Sequence, residues 1–405
     1  MSGVRTELFR IISISIWSVA AVAGMFLVPG FLACPPAFAQ LSTSDHLGEP
    51  GFWPTQNVAS RDQFAGAAVC ANCHAAKTAS QKLTSMARTS LHADGSEILH
   101  SHPKMNFAVG DYHYEIKTGA KESSYTVTGG TEGSNTISAT LLWAFGIGRV
   151  AQSYLFKKGD GNFYESRVTY FTTLQNLNFT PARALASPKD VAEAMYRPVP
   201  STEIVRCFGC HTTASTIGGQ FDEKNLILGV SCEACHGPGV KHVAAMQAAA
   251  LAGTTENSAE TIVNPARLNP VDMADFCGAC HGTWWDVKFS GGKGVTTARS
   301  APFRLEESKC WGKGDTRLTC IACHDPHVEV RTDPTSYDRA CLSCHPASGT
   351  AKTASTEPSM HPSGHPAGTK DCVTCHMPKV YDPDMHYKFT DHRIRIVHEG
   401  EAYPD

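Results

Sequence analysis

Cys232-Glu233-Ala234-Cys235-His236 decides the fold, because its pattern recurs six more times in a chain of 405 residues. The other copies are Cys70-Ala71-Asn72-Cys73-His74, Cys207-Phe208-Gly209-Cys210-His211, Cys277-Gly278-Ala279-Cys280-His281, Cys320-Ile321-Ala322-Cys323-His324, Cys341-Leu342-Ser343-Cys344-His345 and Cys372-Val373-Thr374-Cys375-His376. Two thiols three positions apart can reach both vinyl groups of one porphyrin, and the histidine that follows then lies under the iron. Each copy is therefore an attachment signature for a c-type haem. With 16 Cys and 19 His in the chain, chance would give about 0.03 such motifs.

Zinc and disulfides are the competing uses of cysteine. A zinc site pairs its dithiol with a second pair of ligands and has no need of a histidine directly after the second Cys. A disulfide framework suits an exported chain, yet 14 of the 16 cysteines fall inside the motifs, leaving Cys34 and Cys310. Seven covalent haems c, with their iron, are the expected cofactors. Cys310, with no second spare cysteine in the mature chain, is expected to be a buried or half-buried thiol.

Residues 1–39 read as a secretory signal. Arg5 and Arg10 open it, Ile11 to Val28 is apolar, and Ala37-Phe38-Ala39 precedes Gln40 as a small-x-small cleavage site. The apolar run approaches the length of a membrane span, so an uncleaved N-terminal anchor is the alternative reading. Haem c is attached outside the cytoplasm, which agrees with export to the periplasm. No later stretch is apolar enough to span a membrane. A formal net charge of −3 gives no reason to invoke nucleic acid.

The motif spacing divides the rest. Cys70 and Cys207 are 137 residues apart, whereas six motifs crowd between Cys207 and His376 at intervals of 25, 45, 43, 21 and 31 residues. No fixed period runs through them, so this is no simple repeat array. Within the long gap, a polar helix is expected over Ala75 to Leu91. Alternating segments follow at Tyr112 to Lys117, Ser124 to Thr128 and Asn162 to Phe171, with turns at Gly129-Gly130 and Gly159-Asp160-Gly161. Four to six antiparallel strands are predicted there. Helices are expected over Val240 to Ala252 and Val271 to Cys277, and surface loops over Ala252 to Glu260, Ser290 to Thr297 and Ala347 to Pro358.

The predicted fold is α+β with low secondary-structure content. It has a multihaem cytochrome c core of short helices and loops packed on haem, and an antiparallel β module inserted between haem 1 and haem 2. The divisions are a signal at 1–39, an N-terminal extension at 40–69, the haem 1 region with its β insertion at 70–200, and the core of haems 2–7 at 201–405. Without haem such a chain should be mostly unfolded.

Seven histidines serve the motifs as proximal ligands: His74, His211, His236, His281, His324, His345 and His376. Twelve remain, enough for bis-histidine coordination of every iron. His327 cannot cap the haem of its own motif. Axial histidines on opposite faces need α-carbons on the order of 12 Å apart, and three residues span at most about 10–11 Å. His327 is thus assigned to a neighbouring haem. His365, His386 and His392 flank the seventh motif; His361 and one of His100 and His102, with His102 preferred, are further candidates. His46, His92, His113 and His398 read as surface residues. Met86, Met360 and Met377 are weaker candidates, more often packing residues than ligands.

Cys232-Glu-Ala-Cys-His-Gly-Pro-Gly-Val-Lys-His242, Cys320-Ile-Ala-Cys-His-Asp-Pro-His327, and Cys372-Val-Thr-Cys-His-Met-Pro-Lys379 with Phe389-Thr-Asp-His-Arg-Ile394 resemble a family of multihaem c-type cytochromes. That family is related to the tetrahaem carriers of nitrification, the octahaem hydroxylamine oxidoreductases and the pentahaem nitrite reductases. The resemblance covers roughly residues 70 to 395, is specific for multihaem redox function, and implies that His242 is a distal ligand. It departs at one point: the catalytic haem of nitrite and tetrathionate reductases is typically attached through a motif ending in Lys, and all seven motifs here end in His.

The reading that follows is electron transfer along a chain of haems between redox proteins of the cell envelope. The alternative is a multihaem oxidoreductase acting on a small nitrogen or sulfur compound at one five-coordinate haem. Its first candidate is haem 1, isolated in sequence beside the β insertion. A third reading is a structural subunit of a larger redox complex or filament.

Overall fold

A computed structural model describes residues 43–49, 51–55, 58–129, 135–181, 188–254, 261–313, 316–345 and 370–404. The signal segment, Cys34, Gly130, Met360, the loop 347–358 and two ligand candidates, His361 and His365, lie outside these residues. No helix among the described residues is long and apolar enough to cross a membrane.

Between the first and second motifs the described chain forms eleven strands. They are β1 (Ser90–His92), β2 (Lys104–Val109), β3 (Tyr112–Thr118), β4 (Ser123–Gly129), β5 (Asn135–Thr140), β6 (Trp143–Phe145), β7 (Ala151–Lys157), β8 (Phe163–Ser166), β9 (Val168–Phe171), β10 (Asn176–Phe179) and β11 (Tyr196–Pro198). One sheet runs β2-β3-β4-β5; the other runs β1-β6-β7-β8-β11, with β9 also on β7 and β10 on β9. All of these pairings are antiparallel.

The alternation in the sequence explains β3 and β4 directly. Tyr112, Tyr114 and Ile116 face inward from one, Tyr125 and Val127 from the other, and Ile116 sits opposite Tyr125. The buried Tyr125 hydroxyl donates to the Met195 carbonyl at 2.9 Å, so the core carries no penalty there. More strands form than the four to six expected. Strands β1, β6 and β11 have three residues each, too few for a period of two to register. Strand β9 is buried on both faces and never alternates. The single run expected over Asn162 to Phe171 is two strands, because Arg167 leaves the ladder to bond the Met195 and Glu193 carbonyls. Secondary structure is accordingly fuller than the low content expected.

The helix expected over Ala75 to Leu91 instead spans Ala67–Gln81 and contains the first motif, with a kink at His74. Beyond it Thr84 spends its hydroxyl on the nearby Gln81 carbonyl, as such residues do outside helices, while Thr89 and Ser90 reach across the fold to His211. The helix Val240–Ala252 has the expected bounds and ends on Gly253 in the left-handed region. The helix into the fourth motif is longer than expected, Pro270–His281, with Asn269 as its N-cap. The loop expected over Ser290 to Thr297 closes into a 3-10 helix, Gly294–Arg299, that buries Thr297 and Ala298.

The apolar core is unevenly shared. Its largest cluster comes wholly from residues 93–195, inside the β module. The cluster beside the third, fourth and fifth motifs has five buried members, Phe52, Val263, Leu268, Met273 and Phe276, and Cys235, Cys277 and Cys320 pack on it. The helices Cys232–His236, Cys320–Cys323 and Cys372–His376 are four or five residues long, shorter than a helix can hold unaided. Phe208, in the second motif, locks that motif to the module: its ring meets Trp143 at 5.8 Å and Phe145 at 5.1 Å.

Candidate functional site

The fold brings motifs together in pairs through their own thiols. Cys70 lies beside Cys232, Cys210 beside Cys280, Cys277 beside Cys320, and Cys341 beside Cys372. Cys235 joins Cys277 and Cys320 on one apolar cluster, and Cys323 lies within electrostatic reach of Cys341 and Cys344. The attachment points therefore follow one another as first, third, fourth, fifth, sixth and seventh, with the second beside the fourth. Sequence order and spatial order differ only at the second motif. The closeness of the two thiols raises the pKa of Cys70 and lowers that of Cys232, to about 7.

The motif histidines are oriented by backbone. His236 Nδ1 donates to the Val263 carbonyl at 2.8 Å, and His376 Nδ1 to the Arg395 carbonyl at 2.9 Å. A carbonyl only accepts, so these bonds set the tautomer and leave Nε2 with its lone pair. His211 Nδ1 sits 2.8 Å from the Thr89 hydroxyl. Burial lowers the pKa of His211, His236, His281 and His324, holding each imidazole in the neutral form that binds metal.

Two further histidines face motif histidines at the spacing an iron requires. Two imidazoles on one iron have ring centres roughly 6 Å apart: two bonds of about 2 Å, plus about 1 Å from each nitrogen to its ring centre. His327 lies 6.1 Å from His236 with the rings 19° from parallel, and His392 lies 6.2 Å from His324. Both outer nitrogens are occupied, His327 Nδ1 by Asp325 at 2.9 Å and His392 Nδ1 by the Thr390 carbonyl at 3.0 Å. Asp325, held down to about 2 chiefly by the His327 backbone N–H, also pairs with Lys77 on the first motif's helix. Burial, with His324 close by, brings His392 to about 4.

The remaining candidates divide. His242 is half-buried, with Nδ1 3.2 Å from the Thr261 hydroxyl, and lies within electrostatic reach of His236. His102 is corrected: Nδ1 meets the Ile98 carbonyl at 3.1 Å, Nε2 meets Tyr170 and Gln175 at 3.3 and 3.4 Å, and the ring packs on Tyr170. With both nitrogens engaged inside the β module, it offers no lone pair to an iron. His386 sits in a turn at positive φ with its ring edge-on to Phe171. His92, His113 and His398 are exposed. Cys310 is exposed rather than buried, because it lies in the turn that follows the helix Ala301–Glu306.

Two buried polar residues near the motifs escaped the sequence reading. His46, expected at the surface, is 6% exposed, stacks on Phe52 at 5.2 Å and has Glu49 3.5 Å from Nδ1. Its signal was the carboxylate three residues on. Glu233, between the cysteines of the third motif, is buried and accepts the backbone N–H groups of Ala65, Gly66 and Gly239 at 2.7–2.8 Å. It ties the entry of the first motif's helix to the third motif. Gly229, at φ 74°, allows the chain before the third motif to pass where a Cβ would stand 2.0 Å from the Ala87 carbonyl. Glu233→Ala should cost about 3 kcal/mol, since three backbone donors, one buried and two half-buried, lose a charged acceptor. The denaturation midpoint of the holoprotein checks this; an unchanged midpoint would contradict it.

A family model described as cytochrome c554 and c-prime matches residues 175–237, from the end of the β module through the second and third motifs. The comparisons with curated proteins and with solved structures found no match. That match supports a c-type cytochrome segment here, a kind of domain that holds covalent haem c with its iron for electron transfer. The residues fit that group: paired motif thiols, neutral buried imidazoles with Nδ1 bound to backbone, and facing histidines at iron-spanning distance.

Proposed function

We propose that this chain is a heptahaem electron-transfer protein of the cell envelope, passing single electrons between exported or membrane-bound redox partners. The unbroken succession of motif contacts is the observation that carries this reading. Haem c, when bound, supplies a reversible one-electron iron couple at each motif. The fourteen motif cysteines would tether it, the motif histidines would coordinate it, and His327 and His392 would serve as further iron ligands at the third and fifth motifs. Val263, Arg395, Asp325 and Thr390 fix the ring orientations and raise the basicity of those ligands. The β module covers the second motif through Phe208, Trp143 and Phe145 and excludes water there. The basic start, apolar run and small-x-small site of residues 1–39 support export.

Reductive titration of the purified ferric protein tests this. It should take up seven electrons per chain, one for each motif, with no low-molecular-weight substrate added. A high-spin haem whose signal changes with nitrite, hydroxylamine or sulfite would turn the reading toward an oxidoreductase.

A further inference from the structure

Arg304 is fully buried in the helix Ala301–Glu306, an unusual place for a guanidinium. Its fork holds the equally buried Asp391: Nε to Oδ1 at 2.9 Å and Nη2 to Oδ2 at 3.2 Å. Glu307 takes Nη1 at 2.7 Å, and the Tyr403 ring lies 4.8 Å from the guanidinium carbon. A buried ion pair adds little net stability over apolar packing of the same volume, so its position calls for another role. The neighbouring backbone shows what that role is.

Asp391 organises the whole segment from Thr390 to Arg395. Its own N–H donates to the Pro378 carbonyl at 3.0 Å, Oδ1 accepts the Arg393 N–H at 3.1 Å, and Oδ2 accepts Arg395 Nη1 at 2.6 Å. Ser308, four residues after Arg304, accepts the Ile394 N–H at 2.8 Å. Two haem-facing groups sit on this clamped strip. His392 faces His324 of the fifth motif, and the Arg395 carbonyl receives Nδ1–H of His376 in the seventh. The Arg395 N–H also returns to the His376 carbonyl at 3.2 Å.

We propose that Arg304 and Asp391 are positioning residues that set axial ligation at two haem sites at once, those of the fifth and seventh motifs. The pair acts through the strip: it fixes where His392 stands and which carbonyl orients His376. The proposal rests on the multihaem reading above, and its test separates the two.

The full-length holoprotein is made with Asp391→Asn, which keeps the size but breaks the charged fork, and with Arg304→Met. Haem per chain is measured first, then ferric EPR with and without added imidazole, then the reduction potentials. Both variants should keep seven haems and show one of the seven as high-spin, returned to low-spin by imidazole, with the potential of a second haem displaced. Arg304→Lys, which keeps the charge but not the fork, should show a smaller high-spin fraction. Seven haems with spectra and potentials identical to the unmutated protein would overturn the clamp alone. Fewer than seven haems in the unmutated protein would overturn the multihaem reading and the clamp with it. If both main variants lose haem through misfolding, Ser308→Ala decides, since it removes only the hydroxyl that holds Ile394. A displaced potential supports the proposal, and unchanged potentials overturn it.

Discussion

Made without haem, the chain should keep its β module and lose nearly everything else. Every buried side chain of the largest apolar cluster lies between Ala93 and Met195, and none belongs to a motif. That sheet pair closes on itself through tyrosine, phenylalanine and aliphatic contacts, and its buried Tyr125 is already hydrogen-bonded. The motif helices have no comparable support. Several are a single turn long, and what packs on their neighbouring cluster is Leu47, Trp53 and three motif cysteines. On the proposed reading porphyrin would fill that volume, so leaving it out should remove the core. Far-UV circular dichroism of apoprotein expressed without haem maturation should show strand signal with helix lost. Limited proteolysis should leave a fragment close to residues 90–198. An apoprotein with full helical signal and no such fragment would contradict this account of the core.

His327→Gly should convert one haem of the seven from low-spin to high-spin, and imidazole in solution should restore it. His327 stands 6.1 Å from His236, with its far nitrogen bound by Asp325, and the substitution leaves both of those partners in place. Axial ligands set haem potentials over about 0.8 V, so loss of one should displace that haem's potential on the order of 0.1 V. His392→Gly should do the same at the fifth motif. His398→Gly, on an exposed residue, should leave the spectrum unchanged. EPR and potentiometry of the three variants read these outcomes. A wholly low-spin His327→Gly protein would show that His327 serves no iron.

How far the sequence reached can be seen residue by residue. The motif count needed no structure, because the porphyrin's two vinyl groups dictate the spacing of the thiols. The reach argument for His327 also needed none: three residues cannot span both faces of an iron, so only a neighbouring motif could receive it. Which neighbour was a different matter, since the approach of the third and fifth motifs depends on Val263, Phe276 and Phe52 packing together. Long alternating strands such as Ser123–Gly129 were legible, and three-residue strands such as Trp143–Phe145 were not. His46 was misread because its burial comes from Phe52, six positions on, which carries no signal of its own in the sequence. His102 was misread because its partners, Tyr170 and Gln175, arrive from a strand and the turn after it, which local periodicity could not register with it. Arg304 and Asp391 are 87 positions apart, and nothing local marks either as buried.

The most direct test of the account is the number of haems on one chain. Intact mass of the purified holoprotein, followed by peptide mapping, should find seven haems, one on each Cys-x-x-Cys-His peptide from Cys70 to His376. A chain carrying fewer, with any of those cysteines bound to zinc or joined in a disulfide, would contradict it.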